Sequence, residues 1–285
     1  MELQQLRSFL TVVRTKNITR AAEQLHISQP ALSRQIHQLE AALGGPLFER
    51  FQGGVRLTDR GHSLVESARE MVALADKVTT NLNTTSPISG ELYIGGGETQ
   101  AMNEIVQTFG RLREEHPAVT LRLFSGNGDD VLDRLDRGLL DFGIVIEPIE
   151  IATYASRRLT HQDQWGLLTR ADSAIAAHPN LHLEQIHELP LLVSEQSLTP
   201  RHFDRLDFTK LHVVATYNLL YNASLLVRAG IGHALCLRGI ITELPNDLRF
   251  IPLSPDVRSN VHLIWKDDRR LSNVAAAFLQ QMDDC

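Results

Sequence analysis

Residues 26–43 read HISQPALSRQIHQLEAAL, and this stretch decides how the first part of the chain folds. Ser28 is a residue type that caps helices, and Pro30 falls in the first turn, where a missing backbone N–H costs little. We therefore predict a helix that begins at Ser28 and ends at about Leu43. Its buried positions, at helical spacing, are predicted to be Ala31 or Leu32, Ile36 and Leu39.

Two shorter helices are predicted before it. Apolar residues recur at three- and four-residue spacing from Leu3 to Val13, which is typical of an amphipathic helix. Thr19 is the expected N-cap of a second helix, and a tight turn at His26-Ile27 joins this helix to the third. Two helices joined by a short turn fit the DNA major groove, which the start of the second helix enters. The side chains at that start and on its polar face are Gln29, Ser33, Arg34 and His37. Gln can pair with adenine and Arg with guanine.

A hairpin is predicted directly after the third helix. Residues 46–58 read PLFERFQGGVRLT, two short extended segments around Gly53-Gly54, which is a hairpin signal. In this position the hairpin would form a wing, from which Arg50 and Arg56 reach phosphate or the minor groove. The alternative is an ordinary three-helix bundle whose third helix is only solvated.

Charge is segregated along the 285 residues, whose net charge is −6. Residues 1–60 hold eight Lys/Arg and five Asp/Glu, a net charge of +3, and the remaining 225 residues hold 20 and 29, a net charge of −9. A basic N-terminal segment followed by an acidic remainder favours a polyanion-binding domain joined to a domain that binds another partner. The two cysteines, the lack of a secretory signal and the lack of a membrane-spanning apolar run favour the cytoplasm.

A long helix is predicted from Thr58 to about Asn83. Its apolar residues repeat with heptad spacing at Leu64, Ala68, Met71, Ala75, Val78 and Leu82. Such a narrow apolar stripe favours dimerisation over packing on the helix's own domain. A protein that binds two half-sites of DNA needs two DNA-binding domains, and a dimer supplies them. The segment TTSPISG (84–90) is then a linker or hinge.

This order of elements resembles the LysR-type transcriptional regulators. The stretch ITRAAEQLHISQPALSRQIHQLEAALGGPLFERFQGGVRLTDRG (18–61) is close to the N-terminal signature of that family. The resemblance implies a winged helix-turn-helix domain (1–58), a dimerisation helix with hinge (59–87) and an effector-binding domain (88–285). It also implies a homodimer or homotetramer on double-stranded operator DNA, and RNA polymerase as a partner if the protein is an activator. The residues expected to contact DNA are Ser28, Gln29, Pro30, Ser33, Arg34, His37, Arg50 and Arg56.

The wing tip departs from the family pattern. Many members carry a basic residue there, whereas this chain has Gln52-Gly53-Gly54. Insertion of a basic wing residue into the minor groove would therefore fall to Arg56.

Residues 91–285 alternate strand-like and helix-like patterns, which predicts an α/β domain with a mainly parallel sheet. Strands are predicted at 91–95, 119–124, 141–146, 165–169, 190–193, 212–217, 233–237, 248–253 and 261–265. The family resemblance implies two lobes similar to periplasmic solute-binding proteins. The first lobe would be 91–160 and 267–285 and the second 161–266, with two crossover strands as the hinge.

A small-molecule site is expected where strands of the two lobes end, because ligands of open α/β sheets bind beyond the carboxyl ends of the strands. The residues expected there are Glu98, Thr99, Gln100, Ser125, Asn127, Glu147, Thr199, Tyr217 and Asn218. Some could instead cap helices, Thr99 and Asn218 above all. Glu98 and Glu147 would repel a carboxylate unless Arg201 or His202 balanced them, which favours a cationic or polyhydroxyl effector.

Other chemistries lack their motifs. GGGETQ (95–100) is not followed by Gly-Lys-Ser/Thr, and neither a dinucleotide signature nor a nucleophile elbow occurs. The histidines near 178–212 are expected at the surface, and Cys236 as a buried thiol. No enzyme activity, cofactor or metal is therefore expected. The rival hypothesis is a solute-binding or substrate-binding enzyme domain whose N-terminal helices only dimerise it.

Overall fold

The computed structural model describes residues 1–82, 88–195, 210–241 and 244–283. The chain divides into two compact units, Met1–Asn83 and Thr84–Cys285. Within the described ranges, no helix combines the length and the apolar character that crossing a membrane requires.

The first unit is a winged helix-turn-helix. Its elements are α1 (Leu3–Thr15), α2 (Ile18–Gln24), α3 (Gln29–Ala42), β1 (Phe48–Phe51), β2 (Gly54–Leu57) and α4 (Asp59–Leu82). Phe9, Leu32 and Leu39 are fully buried in its core, which decides the choice between Ala31 and Leu32 in favour of Leu32. The predicted cap at Thr19 is wrong, because the Asn17 side chain accepts the hydrogen bond from the backbone of Arg20 and caps α2.

The wing is fastened to the end of α1. Phe51 pairs with Gly54, so the hairpin loop is Gln52-Gly53 rather than the expected Gly53-Gly54. The backbone N–H of Val55 donates to the Lys16 carbonyl oxygen at 3.1 Å. Gly54 has φ +155°, and a Cβ there would lie 2.4 Å from the same oxygen. Only glycine therefore lets the wing approach α1 so closely.

The apolar seam of α4 changes role along the helix. Leu64 and Ala68 pack against the core of the first unit. Further along, Met71 is 42% exposed and Val78 50% exposed. The first part of the heptad pattern therefore serves the helix's own domain, and the part from Met71 to Val78 presents apolar surface.

The second unit contains two lobes. The strands of the first lobe follow the order β4-β3-β5-β12-β6, and three helices cover them. The bounds are β3 (Gly90–Gly96), α5 (Met102–Glu115), β4 (Val119–Ser125), α6 (Gly128–Asp136), β5 (Phe142–Ile146), β6 (Ala155–Arg170), β12 (Arg258–Trp265) and α9 (Asn273–Asp283). β3, β4 and β5 are parallel, and their core includes Phe142 and Phe278, whose ring centroids are 5.5 Å apart.

The second lobe continues from the same β6. Its sheet has the order β6-β10-β8-β9, and β11 lies along β6 on the other side. The bounds are a short 3-10 turn (Ala174–Ala177), β7 (Leu181–His182), α7 (Leu183–Ile186), β8 (Leu191–Ser194), β9 (Val213–Tyr217), α8 (Leu220–Arg228), β10 (His233–Leu237) and β11 (Leu248–Ser254). Together the two units confirm the predicted fold class.

β6 crosses from one lobe to the other. Gln164 pairs with Arg258 in the first lobe, and Trp165 pairs with Leu237 in the second. The lobe boundary differs from the expected one at β12, which was placed in the second lobe (161–266). β12 pairs with β5, and its apolar residues enter the core of the first lobe.

Candidate functional site

The start of α3 presents polar side chains at the surface of the first unit. The Ser28 hydroxyl accepts from the backbone N–H of Ala31 at 3.3 Å and caps the helix as predicted, with Pro30 in the first turn. The Gln29 amide donates to the Ser33 hydroxyl at 2.9 Å, one turn later. This side-chain pair therefore offers a donor and an acceptor together on the face that would meet a base edge.

Three basic residues lie on or beside the same surface and are all exposed. Neither Arg34 nor Arg50 forms an ion pair or a side-chain hydrogen bond with another residue in the described part of the chain. Arg56 is paired across the wing with Glu49 at 2.9 Å. An exposed pair of this kind contributes roughly 0–1 kcal/mol, so Arg56 can exchange Glu49 for another anion at small cost.

His37 is also exposed, and its Nδ1 lies 3.1 Å from a carboxylate oxygen of Glu40. The other oxygen of Glu40 accepts from the backbone N–H of Leu47 at 2.8 Å. Glu40 therefore links α3 to the segment that leads into the wing.

A cleft between the lobes of the second unit encloses about 590 Å³, its open mouth included. Five of the residues expected from the sequence line the cleft: Glu98, Asn127, Glu147, Tyr217 and Asn218. The first three belong to one lobe and the last two to the other.

The remaining lining residues were not found from the sequence. The apolar walls are formed by Ile146, Trp165, Leu220, Leu237 and Ile240, and the smaller lining residues are Gly97, Gly126, Ser194 and Cys236. Several of them lie within or just after apolar strands, where the sequence does not distinguish a side chain that faces the core from one that faces a cleft.

Three expected residues do not line the cleft. Thr99 is buried, Gln100 bonds across the lobes, and Ser125 is exposed at the end of β4. A fourth, Thr199, lies outside the described residues, as do Arg201 and His202. Asn127 lines the cleft and also caps α6, because its side-chain oxygen accepts from the backbone N–H of Asp130 at 2.8 Å.

The segment 98–100 links the two lobes. The Glu98 carboxylate accepts a hydrogen bond at 2.6 Å from the backbone N–H of Leu220, at the start of α8. The Gln100 amide donates to the carbonyl oxygen of Gly239 at 3.2 Å. Both bonds run from the first lobe to the second, so this segment holds the lobes together beside the cleft.

Thr99, between them, is anchored to the crossover strand. Its hydroxyl donates to a carboxylate oxygen of Asp163 at 2.5 Å and accepts from the backbone N–H of Ala101 at 3.0 Å. Asp163 is fully buried, and this burial raises its pKa, although the Thr99 hydrogen bond and nearby His161 oppose the rise. A buried carboxylate therefore stands at the point where β6 passes between the lobes.

Glu147 is held by a polar network. One carboxylate oxygen accepts from the Asn260 amide at 2.7 Å, and the other lies 2.7 Å from Nε2 of His262. Asn260 in turn accepts from the Gln162 amide at 2.7 Å. The network fixes the Glu147 side chain at the end of β5.

Two further lining residues, Tyr217 and Cys236, have side chains whose acidity is lowered by burial. The Tyr217 hydroxyl donates to the Leu235 carbonyl oxygen at 2.7 Å, and burial raises the pKa of this phenol well above its usual value. Cys236 is buried, as expected, and burial raises the pKa of its thiol to about 12. The thiol therefore stays protonated at neutral pH and is a poor nucleophile.

Both units match models of the same protein family. Residues 3–62 match the model for "Bacterial regulatory helix-turn-helix protein, lysR family", and residues 85–284 match the model for "LysR substrate binding domain". The chain belongs to the LysR family. It is therefore a DNA-binding transcriptional regulator with a C-terminal effector-binding domain. Both family models describe parts of regulators, which excludes the rival enzyme and solute-binding hypotheses.

Individual relatives agree with this assignment. The chain is 30% identical over 202 residues to the HTH-type transcriptional regulator BudR of Raoultella terrigena, a match that covers 70% of each chain. It is 25% identical over 287 residues to the uncharacterized HTH-type regulator YvbU of Bacillus subtilis, over 98% of this chain and 97% of that one. Among solved structures, full-length CbnR complexed with its target DNA has the same fold, with a TM-score of 0.75 at 20% identity over 100% and 99% of the two chains.

Proposed function

We propose that this LysR-family protein binds operator DNA with α3 in the major groove. The exposed Gln29–Ser33 pair and the exposed Arg34 would read base edges, and Ser28, Pro30 and His37 would lie along the same contact surface. Arg50 and Arg56 of the wing would contact phosphate or the minor groove. The observation that carries this proposal is the exposed guanidinium of Arg34, which has no partner among the described residues, beside the capped start of α3.

The second part of the proposal is that a small molecule bound in the interlobe cleft modulates operator binding. The cleft is lined from both lobes, and Glu98 and Gln100 already link them. A ligand that prefers one arrangement of the lobes shifts the population toward that arrangement. Operator affinity then changes by the corresponding coupling free energy.

We further propose a homodimer that pairs into a homotetramer in the bacterial cytoplasm. The exposed apolar residues Met71 and Val78 of α4 support a helix-to-helix contact between copies. The free, buried Cys236 supports a reducing compartment. If the protein is an activator, RNA polymerase is its partner at the promoter.

The test is operator binding by an Arg34→Ala variant. Sites are first selected from random DNA with the wild-type protein, and affinities are then measured by fluorescence anisotropy at fixed salt. Loss of one bidentate base contact is expected to cost about 1–3 kcal/mol and to relax specificity at one position. Arg113→Ala, an exposed charge change in the second unit, is the matched control. Unchanged binding and specificity in Arg34→Ala would contradict the assignment of α3.

A further inference from the structure

We propose that the effector is a small organic cation, an alkyl ammonium or guanidinium, held between the carboxylates of Glu98 and Glu147. This inference rests on the proposed function of the interlobe cleft as the effector site. It goes further by naming the chemical class of the ligand and the two side chains that select it.

Strand register brings the two carboxylates together. β3 and β5 are neighbouring parallel strands, in which Gly96 pairs with Ile144. Glu98 lies two residues after Gly96, and Glu147 lies three residues after Ile144. Neighbouring strands lie about 4.8 Å apart, and both side chains line the same cleft. Two negative groups therefore leave adjacent strand ends toward one volume.

The charge of Glu98 is oriented but not neutralised by its described partner. That partner is the backbone N–H of Leu220, an uncharged donor at the start of α8. The positive end of the helix dipole contributes a partial charge only. Glu98 is half-buried and forms no ion pair with any residue in the part of the chain that the structure describes.

Glu147 is also held by its neighbours. Asn260 is an uncharged donor to one carboxylate oxygen, and Nε2 of His262 lies 2.7 Å from the other. Nδ1 of His262 is buried and has no hydrogen-bond partner among the described residues. The network therefore orients the Glu147 carboxylate at the cleft, as the backbone N–H of Leu220 orients that of Glu98.

The remaining lining describes the body of the ligand. Ile146, Leu237 and Ile240 offer apolar surface, and Ser194 and Asn218 offer uncharged polar groups. The described lining includes no Lys, Arg or His. Two carboxylates in a partly apolar cleft suit a cation on a short aliphatic chain, whose charge pairs with the carboxylates while the chain contacts the apolar walls.

The experiment is isothermal titration calorimetry on the full chain with three five-carbon probes. 1,5-Diaminopentane, 1,5-pentanediol and glutarate share one chain and differ in the charge of their end groups. We expect the diamine to bind, and its dissociation constant to rise at least tenfold in Glu98→Gln and in Glu147→Gln. Gln at position 98 retains an oxygen that accepts from Leu220, so the link between the lobes is kept while the charge is lost. Glu114→Gln, an exposed carboxylate change on α5, is the control and should bind as the wild type does.

The outcomes separate the inference from the proposed function. Binding of glutarate or the diol without the diamine would overturn the cation inference and leave the cleft as an effector site. Diamine binding that is equal in all variants would show non-specific association and would also overturn it, as would the absence of binding by any probe. Operator binding, measured on the same samples, decides independently whether the regulator function stands.

Discussion

Replacement of Thr99 by Val removes the hydroxyl that joins the cleft segment to the crossover strand. Val matches Thr in shape, so the change is chiefly the loss of two hydrogen bonds. One is donated to the buried carboxylate of Asp163, and the other is accepted from the backbone of Ala101. The variant therefore measures how strongly the segment is anchored at the hinge.

The magnitude follows from these two bonds. A hydrogen bond to a charged group contributes about 1.5–3 kcal/mol and one between neutral groups about 1 kcal/mol. A destabilisation of about 3 kcal/mol is expected at a pH where the Asp163 carboxyl group is ionised. For a unit of the size of Thr84–Cys285, this corresponds to a fall in Tm of about 6–12 °C.

The loss is expected to depend on pH. Burial raises the pKa of Asp163 in the folded protein above its unfolded value. The stability contributed by this group is therefore present below the unfolded pKa and is lost as pH rises through the folded pKa. The Thr99 hydroxyl favours the ionised form, so its removal raises the folded pKa further. The cost of Thr99→Val should accordingly be smallest in acid and should grow as pH rises through the folded pKa of Asp163.

Urea unfolding followed by tryptophan fluorescence measures this effect selectively, because both tryptophans, Trp165 and Trp265, lie in the second unit. Thr99→Ser, which keeps the hydroxyl, should remain near the wild type. In an Asp163→Asn background, the Thr99→Val cost should fall to about 1–2 kcal/mol and lose its pH dependence. An equal, pH-independent cost in both backgrounds would refute the hydroxyl-to-carboxylate coupling.

Three further perturbations test the first unit. Gly54→Ala should destabilise the first unit by about 1–3 kcal/mol, since φ at this position is unfavourable for alanine and the new Cβ would meet the Lys16 carbonyl oxygen. Unfolding followed by circular dichroism would detect this as a shift of the first unit's transition. Arg50→Ala should weaken binding to all DNA sequences and lower the salt slope of the affinity by about one, and an unchanged slope would exclude a phosphate contact. Val78→Asp should raise the dissociation constant of the dimer at least tenfold, because it places a charge on the exposed apolar stripe of α4. Sedimentation equilibrium measures this constant, and an unchanged value would place the dimer interface elsewhere.

Elements with strong local signals could be predicted from the sequence. The cap at Ser28, the proline at Pro30 and the apolar spacing after them specify α3 within one residue of its observed end. The apolar strand at 233–237 coincides with β10. In these places propensity, capping and burial pattern all favour the same structure.

The first half of β6 could not be predicted in this way. Residues 155–164 read ASRRLTHQDQ, a polar run in which only Leu159 and Asp163 are buried. Such a run has the composition of a loop, and it becomes a strand because β12 pairs with it. The lobe boundary was misplaced for the same reason, since the sequence does not show which lobe's sheet contains β12.

The candidate site could likewise be predicted only in part. Strand ends were predicted, and with them Glu98 and Glu147, because parallel strands bring their carboxyl ends to one edge. What each carboxylate contacts depends on distant parts of the chain. Leu220, which donates to Glu98, is 122 residues away, and His262 is 115 residues from Glu147. A single sequence carries no signal for such pairs.

These long-range pairs bear on how an effector could act. A ligand shifts a two-state equilibrium only by the difference between its affinities for the two states, and reversal from 1:99 to 99:1 requires about 5.5 kcal/mol. The Glu98 and Gln100 bonds join the two lobes directly, from protein atom to protein atom. They supply part of the free energy that holds the two lobes together. Glu98 and Glu147 both extend from the first lobe, so a cation between them favours one arrangement of the lobes only through the contacts that it also makes with the second lobe, such as Asn218 and Leu237. Because the two bonds across the lobes supply part of the free energy, the affinity difference required of the ligand is smaller than that of a full reversal.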